Sequence, residues 1–269
     1  MVSKESYLNS TGYTFTHLPA PYEIEMQLRD NFSNFDITGT ILISEEGINI
    51  NLAGLEAQVK AAENSIISFH SFKDIFFKHS YSDILPFRKL VIKTRDEIIA
   101  MKQGMPAISC LNNYIKPKDL EKKIMDGEDL YLLDVRNNYE INIGKFEGSK
   151  NLDIMSFHEF PDKVKSIINT KKPIVMYCTG EIRCEKASAY MHDLGFENVM
   201  QLQGGILNYF QETNATGWFG DCFVFDDRVT VNKSLEPTYK DLCPKCQRII
   251  NKFNKSKCES CSPDERLPN

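Results

Sequence analysis

The chain has 269 residues, of which 42% are hydrophobic and 26% are charged, so we expect about two domains with real cores. Its 32 basic and 37 acidic residues give a net charge of −5, which argues against a nonspecific nucleic-acid coat but allows a local basic patch. No apolar run reaches the roughly 18 residues of a membrane helix, and the polar first residues exclude a secretory signal. We therefore expect a cytoplasmic protein with neither membrane nor DNA as a partner; its oligomeric state is not predicted.

Residues 1–100 show the pattern of a small α+β domain. A strand is predicted over Tyr13–Leu18, and Pro21 begins a helix that ends near Phe32. A second helix is predicted over Leu55–Phe69, and further strands over Ile37–Ser44, Ile48–Leu52, Ile75–His79 and Leu90–Lys93. The order β-α-β-β-α-β is that of a ferredoxin-like domain. Residues 101–116 contain Gly, Pro and an Asn pair, which predicts a linker.

Residues 117–215 alternate strand and helix patterns throughout. The predicted strands are Leu130–Val135, Pro173–Cys178 and Val199–Leu202, and the predicted helices are Pro117–Met125, Arg183–Leu194 and one that begins at Ile206. The segment Met155–Ile168 is predicted to be largely helical. Such alternation is typical of an α/β domain with a parallel sheet and helices on both faces. Residues 216–269 contain one strand-like stretch, Cys222–Phe225, and then form a small cysteine-rich segment.

The loop after the predicted strand Pro173–Cys178 is the candidate catalytic site. Without a signal peptide, thiols are expected to act in metal binding or catalysis rather than in disulfides. The loop consists of Cys178, Thr179, Gly180, Glu181, Ile182, Arg183 and Cys184. At the carboxyl edge of a parallel sheet, the N–H groups of a helix N-terminus and the charge of Arg183 favour the thiolate of Cys178. We expect this sulfur to be reachable from solvent; the alternative is a buried strand-end thiol.

The spacing within this loop separates two chemistries. A Cys-x5-Arg loop wraps the three oxygens of a phosphoryl group, as in tyrosine phosphatases. Here the spacing from Cys178 to Arg183 is Cys-x4-Arg, which makes the ring one residue tighter. The tighter ring suits a single sulfane sulfur better than a phosphate.

The surroundings of the loop resemble a rhodanese domain. Leu133-Asp134-Val135-Arg136, followed by Tyr139-Glu140, resembles the first strand and turn of such domains, and Leu202-Gln203-Gly204-Gly205-Ile206 resembles the last. With Cys178 between them, residues from about 115 to 215 resemble a complete rhodanese domain. Charged residues at a strand end usually hold a turn, so Asp134, Arg136 and Glu140 are interpreted as structural.

Longer segments resemble the tRNA uridine hydroxylases, a family of rhodanese-domain proteins that hydroxylate C5 of the wobble uridine of tRNA. The resemblance rests on the segments YCTGEIRCEKASAYM, QLQGGILNYF and WFGDCFVFDDRV, and on Glu46-Gly47-Ile48-Asn49 and Pro86–Leu90 upstream. It implies a tRNA partner, molecular oxygen as co-substrate and Cys178 as the active-site cysteine. We expect Cys178 to add to uracil C6 and Arg183 or loop N–H groups to stabilise the oxyanion at C4.

Two departures from the family pattern lower the expected similarity in activity. Glu181 stands where the family usually has a second glycine, and Ile50-Asn51 replaces a usual Gly-Thr pair. A carboxylate beside Cys178 opposes the thiolate unless it points outward, and a non-glycine residue is strained if its φ is positive. We expect the change at Glu181 to matter more.

Several other functions stay open at this stage. The rhodanese loop could instead carry a cysteine persulfide and act as a sulfurtransferase, or Glu181 could leave a catalytically silent RNA-binding or scaffold protein. A non-haem iron site needs two histidines and a carboxylate, and the five histidines are scattered without a paired spacing. No flavin or nicotinamide fingerprint occurs, so we expect no organic cofactor.

The remaining cysteines have separate interpretations. Cys243-x2-Cys246 and Cys258-x2-Cys261, eleven residues apart, have the spacing of a structural zinc site, and the alternative is a disordered tail. Six basic residues against one acidic residue between positions 240 and 257 could contact phosphates or form a solvated surface. Cys184 is predicted to be a resolving or a packing thiol, Cys222 a packing thiol and Cys110 a linker thiol. Trp218 and Phe219 are predicted to form an anchoring cluster. A second basic cluster consists of Arg88, Lys89, Lys93 and Arg95.

Overall fold

A computed structural model describes residues 6–104, 113–167, 172–238, 240–243, 245–246, 248–251, 258 and 261. The chain divides into two compact units, residues 1–102 and 103–269. The predicted linker thiol Cys110 lies outside the described residues. Among the helices of the described ranges, none is long and apolar enough to cross a membrane.

The first unit is a five-stranded sheet with two helices. Its elements in chain order are β1 (Tyr7–Phe15), α1 (Pro21–Phe32), β2 (Ile37–Ser44), β3 (Gly47–Gly54), α2 (Glu56–Ile67), β4 (Lys78–Ser82) and β5 (Leu90–Thr94). The strand order is β4-β1-β3-β2-β5, with β5 parallel to β2 and the other neighbours antiparallel. The predicted ferredoxin-like α+β fold is confirmed, and each of the five predicted strands has a counterpart in this sheet.

The core of the first unit lies on one side of this sheet. Alternate residues of the strands, among them Ile41, Ile43, Ile48 and Ile50, are fully buried in one apolar cluster. The cluster also includes Leu28 of α1 and residues of α2. Because successive strand side chains point to opposite faces, the residues in between lie on the face away from this cluster.

Two strands of this unit have bounds that differ from the prediction. β1 begins at Tyr7, well before the predicted Tyr13, and β4 begins at Lys78 instead of Ile75. Most of the added residues are polar, and their buried side chains pair with a neighbouring strand or with α2. Asn9 Nδ2 donates to Ser82 Oγ at 3.0 Å, and Ser10 Oγ donates to Glu63 Oε1 at 2.6 Å. An apolar periodicity cannot reveal strands whose buried positions hold such pairs.

The second unit is built on a parallel sheet. Its elements through the last long helix are β6 (Tyr114–Ile115), α3 (Pro117–Met125), β7 (Tyr131–Asp134), α4 (Asn138–Ile141), β8 (Gly144–Phe146), β9 (Lys150–Asn151), α5 (Phe160–Val164), β10 (Ile174–Tyr177), α6 (Ile182–Asp193), β11 (Val199–Leu202) and α7 (Gly205–Glu212). The sheet order is β6-β11-β10-β7-β9, and every pair is parallel. The predicted α/β fold with a parallel sheet is confirmed.

The prediction that Met155–Ile168 is largely helical holds for the described residues, but their helical turns do not form one continuous helix. The structure has the 3₁₀ turns Phe157–Glu159 and Lys165–Ile167 on either side of the short α5. Pro161 lies in the first turn of α5. Because proline lacks an N–H donor and fits only the start of a helix, the chain begins a new helix here.

The segment after α7 returns to the second unit. Its strands are β12 (Trp218–Gly220), which pairs with β8, and β13 (Cys222–Phe223), which pairs with β14 (Thr230–Val231). Trp218 and Cys222 are buried in one cluster with Phe146. The anchoring prediction therefore holds for Trp218 but is wrong for Phe219, which is 58% exposed. Strands β15 (Lys240–Leu242) and β16 (Ile249–Asn251) form a final hairpin.

Candidate functional site

Cys178 follows directly after β10, the central strand of the parallel sheet. The chain then turns through Thr179 and Gly180 into α6, whose N-cap residue is Glu181. The backbone N–H of Glu181 donates to Cys178 Sγ at 3.1 Å. The loop therefore aims a backbone donor at the sulfur, as the strand-turn-helix pattern predicts.

Burial and hydrogen bonding act in opposite directions on Cys178. Burial raises the pKa of its thiol, but the Cys184 thiol, the Arg183 charge and the backbone N–H groups of Cys184 and Glu181 lower that pKa to about 6. Below this value the sulfur is a thiol, and above it the sulfur is a thiolate. At neutral pH the structure therefore favours a thiolate at position 178.

The prediction that the Cys178 sulfur is reachable from solvent is wrong. Cys178 is only 1% exposed, and Thr179 and Glu181 are also buried. The loop folds back on the sulfur to supply its hydrogen bonds, and those same contacts remove water from it. Gly180 is partly exposed, and a Cβ placed there would have no neighbour within 4 Å. Open space therefore adjoins the loop at Gly180.

Arg183 is held by a carboxylate that the sequence did not place in the site. Its Nη1 and Nη2 atoms donate to Oε1 and Oε2 of Glu140 at 2.6 and 2.7 Å. Both side chains are buried, and the Arg183 charge lowers the pKa of Glu140 against the effect of burial. The Nη2 atom also lies 3.4 Å from Thr179 Oγ1. Arg183 is thus a fixed cation that is paired with a buried carboxylate.

Glu181 has a backbone conformation that favours glycine. Its φ is +91° and its ψ is −36°, and the residue is 8% exposed. Burial raises the pKa of Cys184 and Tyr114, and the nearby Glu181 side chain raises both further. The expected strain at this position is confirmed, because an L-residue with positive φ outside glycine costs free energy.

The glycine pair after β11 supports the loop from the other side. The N–H groups of Ile206 and Leu207 donate to the carbonyl oxygens of Cys178 and Thr179 at 2.9 and 3.2 Å. A Cβ on Gly205 would lie 2.6 Å from the Cys178 carbonyl oxygen, and φ there is +69°. The start of α7 therefore approaches the loop closely only because position 205 is glycine.

The four tail cysteines come together as their spacing predicts. Cys243 Sγ and Cys261 Sγ are 3.7 Å apart, Cys246 Sγ and Cys258 Sγ are 3.5 Å apart, and all four sulfurs lie within 4.8 Å of one another. Cys243 directly follows β15, and its N–H donates to the carbonyl of Arg248 at 2.7 Å. The cluster could hold a metal ion.

The similarity to known proteins covers both units. A family profile described as UPF0176 acylphosphatase-like domain matches residues 7–98, and one described as rhodanese-like domain matches residues 116–212. A tRNA uridine(34) hydroxylase of Wolbachia sp. subsp. Brugia malayi is 38% identical over 249 residues, which is 91% of this chain and 92% of the relative. The chain belongs to the tRNA uridine(34) hydroxylase family.

Further relatives agree with this assignment. The tRNA uridine(34) hydroxylase of Ehrlichia canis is 39% identical over 241 residues, which is 86% of each chain. Among solved structures, the rhodanese-like domain of an Anabaena sp. protein covers 41% of this chain and 80% of its own length, with 22% identity and a TM-score of 0.35. The assignment to the hydroxylase family rests on the full-length relatives.

Within this hydroxylase-family chain, Glu140 is the site residue that sequence reasoning missed. It was interpreted as a turn-holding charge, and its Oε1 does accept from the Asn137 N–H at 3.0 Å. The same carboxylate reaches Arg183, 43 residues away. Asp134 and Arg136 form a separate buried ion pair at 2.7 Å, as the structural interpretation predicts. The available signal was a carboxylate three residues after Asn137, the N-cap of α4. This spacing indicates a helix cap, but it does not indicate that the same carboxylate binds Arg183.

Phe225 is a second site feature that the sequence did not single out. Its ring is 60% exposed, and the Arg183 guanidinium lies 5.4 Å from the ring centroid. An edge contact at 5.0 Å joins it to Phe223, which in turn contacts Tyr139 at 5.3 Å. The exposed ring of Phe225 therefore lies beside the cysteine loop and packs against an aromatic cluster of Phe223 and Tyr139.

Cys184 and Cys222 differ from Cys178 in their ionisation. Burial raises the pKa of Cys184, and the Cys178 sulfur raises it further by hydrogen bonding. Burial also raises the pKa of Cys222 to about 12, and its Sγ lies 3.5 Å from the Phe223 carbonyl oxygen. Both are neutral thiols at physiological pH. Cys222 fits the packing interpretation, whereas Cys184 lies in contact with the candidate nucleophile.

Proposed function

We propose that this chain hydroxylates C5 of uridine 34 in tRNA, with Cys178 as the nucleophile. The proposal is carried by one observation: in a chain of this hydroxylase family, the Cys178 sulfur lies at the end of the central strand and accepts from the Glu181 N–H at 3.1 Å. A tRNA substrate agrees with a cytoplasmic location. The reaction starts from a thiolate at Cys178 and a thiol at Cys184.

The first step is addition of the Cys178 sulfur to C6 of uracil. The S–C6 bond forms, and the C5–C6 π electrons move toward the C4 oxygen, which leaves C5 nucleophilic. The loop N–H groups and the Arg183–Glu140 pair supply the polar surroundings for the enolate oxygen. Because Cys178 is 1% exposed, this step requires the groups that cover the sulfur to move aside when tRNA binds.

The second step supplies oxygen and two electrons. Nucleophilic C5 takes up O2 and a proton to form a C5 hydroperoxide. The Cys184 thiol reduces the hydroperoxide, which leaves a hydroxyl on C5 and a sulfenic acid on Cys184. Loss of the C5 proton then expels Cys178 from C6, and its thiolate condenses with the sulfenic acid to a disulfide and water. In sum, uridine, O2 and two thiols give 5-hydroxyuridine, water and a disulfide, which an external thiol reduces.

Phe225 provides a surface on which the target uracil can stack. Enzymes that act on a base commonly take it out of its stack and hold it against aromatic side chains. The Phe225 ring is exposed and lies next to Arg183. Phe219 is almost equally exposed, at 58%, and serves as a matched control for a nonspecific aromatic effect.

The central experiment is nucleoside analysis of tRNA incubated with purified protein, O2 and a thiol reductant. Wild-type protein is expected to form 5-hydroxyuridine at position 34, and Cys178→Ser is expected to form none. Cys184→Ser is expected to leave Cys178 able to add to the base but to stop turnover. Hydroxylation by Cys178→Ser at the wild-type rate would contradict the proposal.

A substrate analogue separates addition at C6 from a persulfide intermediate. In an anticodon stem-loop with 5-fluorouridine at position 34, the fluorine blocks the final elimination. The Cys178 peptide is then expected to carry the RNA fragment in mass spectra. A one-sulfur mass increase on Cys178 and thiocyanate formation from thiosulfate and cyanide would instead support a sulfurtransferase.

We also propose that Cys243, Cys246, Cys258 and Cys261 hold one structural zinc ion. Four thiolates at a Zn–S distance of about 2.3 Å lie about 3.8 Å apart in a tetrahedron. The two sulfur pairs at 3.7 and 3.5 Å are close to this value and are far from a disulfide. Four sulfur ligands leave no open position for catalysis.

Metal analysis of the purified protein tests the zinc site. We expect about one zinc per chain by atomic spectrometry, loss of zinc in Cys246→Ser and Cys258→Ser, and a lower melting temperature after chelation. Cys184→Ser is the matched control, because Cys184 lies in the other thiol cluster and should leave the zinc content unchanged. Full zinc content in both tail variants would contradict the site.

A further inference from the structure

The sheet of the first unit has one face that its helices do not cover. Residues of α1 and α2 share the apolar cluster with one set of strand positions, for example Ile41 and Ile50. The alternate positions form the opposite face, which we call the open face because neither α1 nor α2 covers it; its residues Asn9, Ser44, Ala53 and Ser82 are buried, and the others are at least partly exposed. The open face consists of Asn9, Thr11, Tyr13 and Phe15; Thr38, Thr40, Leu42 and Ser44; Asn49, Asn51 and Ala53; Lys78, Ser80 and Ser82; and Val91 and Lys93.

Polar side chains lie next to one another in rows across the open face. Across the sheet, Lys78 pairs with Thr11, Thr11 with Asn51, and Asn51 with Thr40. The next row aligns Tyr13 with Asn49, and Asn49 with Leu42. These rows lie on the middle strands and are partly exposed. A polar, hydrogen-bonding surface therefore crosses the centre of the sheet.

Tyr13 gives this surface an aromatic platform. Its ring contacts Phe15 edge-on at 5.9 Å between centroids, and the Lys78 ammonium lies 5.9 Å from the Tyr13 centroid. A cation over a ring marks the ring face as accessible to a positive or stacking group. A nucleic-acid base can replace the ammonium on the ring, and the ammonium can then meet a backbone phosphate.

The amides beside the ring offer donors and acceptors in a fixed row. Thr11 Oγ1 donates to Asn51 Oδ1 at 3.0 Å, and Asn51 Nδ2 donates to Asn49 Oδ1 at 3.5 Å. Asn49 Nδ2 donates to the Ile98 carbonyl at 3.3 Å. Since an amide has two N–H donors and an oxygen with two acceptor sites, these contacts orient the amides without using all their capacity.

Charge separates the two sides of the first unit. The helices α1 and α2 carry five carboxylates and two cations: Glu23, Glu25, Asp30, Glu56 and Glu63 with Arg29 and Lys60. Among the open-face residues defined above there are two lysines and no carboxylate. A polyanion is therefore repelled from the helical side and attracted to the open face.

We propose that the open face binds unpaired nucleotides of the tRNA anticodon loop, with one base stacked on Tyr13. Single-stranded RNA is commonly recognised on a sheet by aromatic stacking and by hydrogen bonds to base edges. Asn49 and Asn51 contact the base edges, and Lys78 and Lys93 contact phosphates. This inference rests on the proposed function for its choice of RNA, and it assigns the first unit the task of holding the loop that contains uridine 34.

Binding of a labelled anticodon stem-loop to the full chain tests this proposal by fluorescence anisotropy, without O2 or reductant. Tyr13→Leu is expected to raise Kd about tenfold or more, whereas Tyr13→Phe keeps the ring and should bind like wild type. Tyr22→Leu, which removes an aromatic ring that is 65% exposed on α1, should have no effect. Lys78→Gln should reduce the slope of log Kd against log salt concentration by about one.

Crosslinking gives a second readout that needs no variant. A stem-loop with 5-iodouridine in the loop is expected to crosslink on irradiation to the wild-type peptide that contains Tyr13. Unchanged binding by Tyr13→Leu together with crosslinks only elsewhere would overturn the proposal, as would equal competition by a fully paired RNA helix.

The outcomes also separate this inference from the proposed reaction. If binding depends on Tyr13 but no 5-hydroxyuridine forms, the reaction is wrong and the RNA surface stands. If tRNA is hydroxylated while binding and crosslinking are indifferent to Tyr13, the surface is wrong and the reaction stands.

Discussion

Cys178 combines burial with ionisation, two properties that usually exclude each other. Burial raises the pKa of the Cys222 thiol to about 12, although the Arg136 charge and a hydrogen bond from Thr179 act in the opposite direction. Cys178 is equally buried, but loop N–H groups, the Cys184 thiol and Arg183 bring its pKa to about 6. These donors offset the free-energy cost of burying the charge. They can do so only because the loop geometry holds them within hydrogen-bond distance of the sulfur.

Alkylation of Cys178 with iodoacetamide is predicted to show this ionisation directly. Because the thiolate is the reactive form and the pKa is lowered from 9.0 to about 6, the rate should rise as pH increases through about 6 and then level off. The absolute rate should be slow in free protein, since Cys178 is 1% exposed. Mass spectrometry of the Cys178 peptide measures the rate separately from the other thiols.

A matched variant checks the cause of this shift. Cys184→Ala removes a hydrogen-bond donor to the Cys178 sulfur, so the midpoint of the alkylation profile should move toward higher pH. A midpoint above pH 8 in the wild-type protein would contradict the thiolate at neutral pH.

The strain at Glu181 leads to a stability prediction. A non-glycine residue at φ +91° costs of the order of 1–3 kcal/mol, and glycine loses about 0.5–1 kcal/mol more backbone entropy on folding. Glu181→Gly is therefore expected to raise the free energy of unfolding by about 1 kcal/mol in urea titrations. The substitution also restores the two-glycine loop that is usual in the family.

Glu185→Gly is the control for Glu181→Gly. Glu185 lies in the first turn of α6, and glycine in a helix is less favourable than other residues by up to about 1 kcal/mol. The two substitutions should thus change stability in opposite directions. Destabilisation by both would mean that the Glu181 side chain contributes more than its backbone strain costs.

At the scale of elements, the cysteine loop depends on how closely α7 approaches it. The N–H groups at the start of α7 donate to the loop carbonyls of Cys178 and Thr179. Position 205 allows this approach because glycine has no Cβ and accepts a φ of +69°. The Gly204-Gly205 pair is therefore part of the site, although neither residue takes part in the reaction.

Gly205→Ala is predicted to displace the loop. Its Cβ would lie 2.6 and 2.7 Å from the carbonyl oxygens of Cys178 and Thr179, so the backbone must shift. We expect a loss of stability of at least about 1–3 kcal/mol and a fall in kcat, because the sulfur and its donors no longer align. Stability is measured by urea unfolding and kcat by nucleoside analysis.

Gly195→Ala separates close approach from backbone strain. Gly195 also has a positive φ, +88°, but a Cβ there has no neighbour within 4 Å. This variant should lose some stability and keep its kcat. Equal kcat values for Gly195→Ala and Gly205→Ala would show that the approach of α7 is not needed for activity.

The elements also show which part of the fold was predictable. Helices Pro21–Phe32 and Pro117–Met125 and strand Val199–Leu202 match the prediction, because proline marks a helix start and apolar patterns mark the rest. The start of β1 and the position of β4 were not predictable, since their polar residues are satisfied by partners such as Glu63 far along the chain. A local sequence pattern shows the periodicity of apolar residues, but it does not show which distant residue a buried polar side chain binds.

The candidate site follows the same division. The strand-turn-helix structure around the loop from Cys178 to Cys184 could be predicted from the local sequence pattern and from the family resemblance. The ion pair of Arg183 with Glu140 and the burial of Cys178 could not, because both depend on how distant segments pack. The four tail cysteines were predictable because their spacing itself carries the geometry of a metal site.

At the scale of the whole molecule, the two units have separate roles in the proposed reaction. The first unit offers an open face with Tyr13 for unpaired nucleotides, and the second offers Cys178 with Phe225 beside it. Each unit has its own apolar core. Tyr13 contacts Phe15 and Lys78 within the first unit, and Phe225 contacts Phe223 and Arg183 within the second.

Substitutions of Tyr13 and Phe225 are therefore predicted to act additively on tRNA binding. Stacking of one base contributes about 1–3 kcal/mol, so each leucine substitution should raise Kd about tenfold and the double substitution about a hundredfold. For residues without shared partners the coupling free energy should stay within about 0.5 kcal/mol. Anisotropy titrations of wild type, both single variants and the double variant measure it, with Phe219→Leu as the control that should leave Kd unchanged. A double variant that binds no more weakly than either single variant would show that both rings serve one and the same contact.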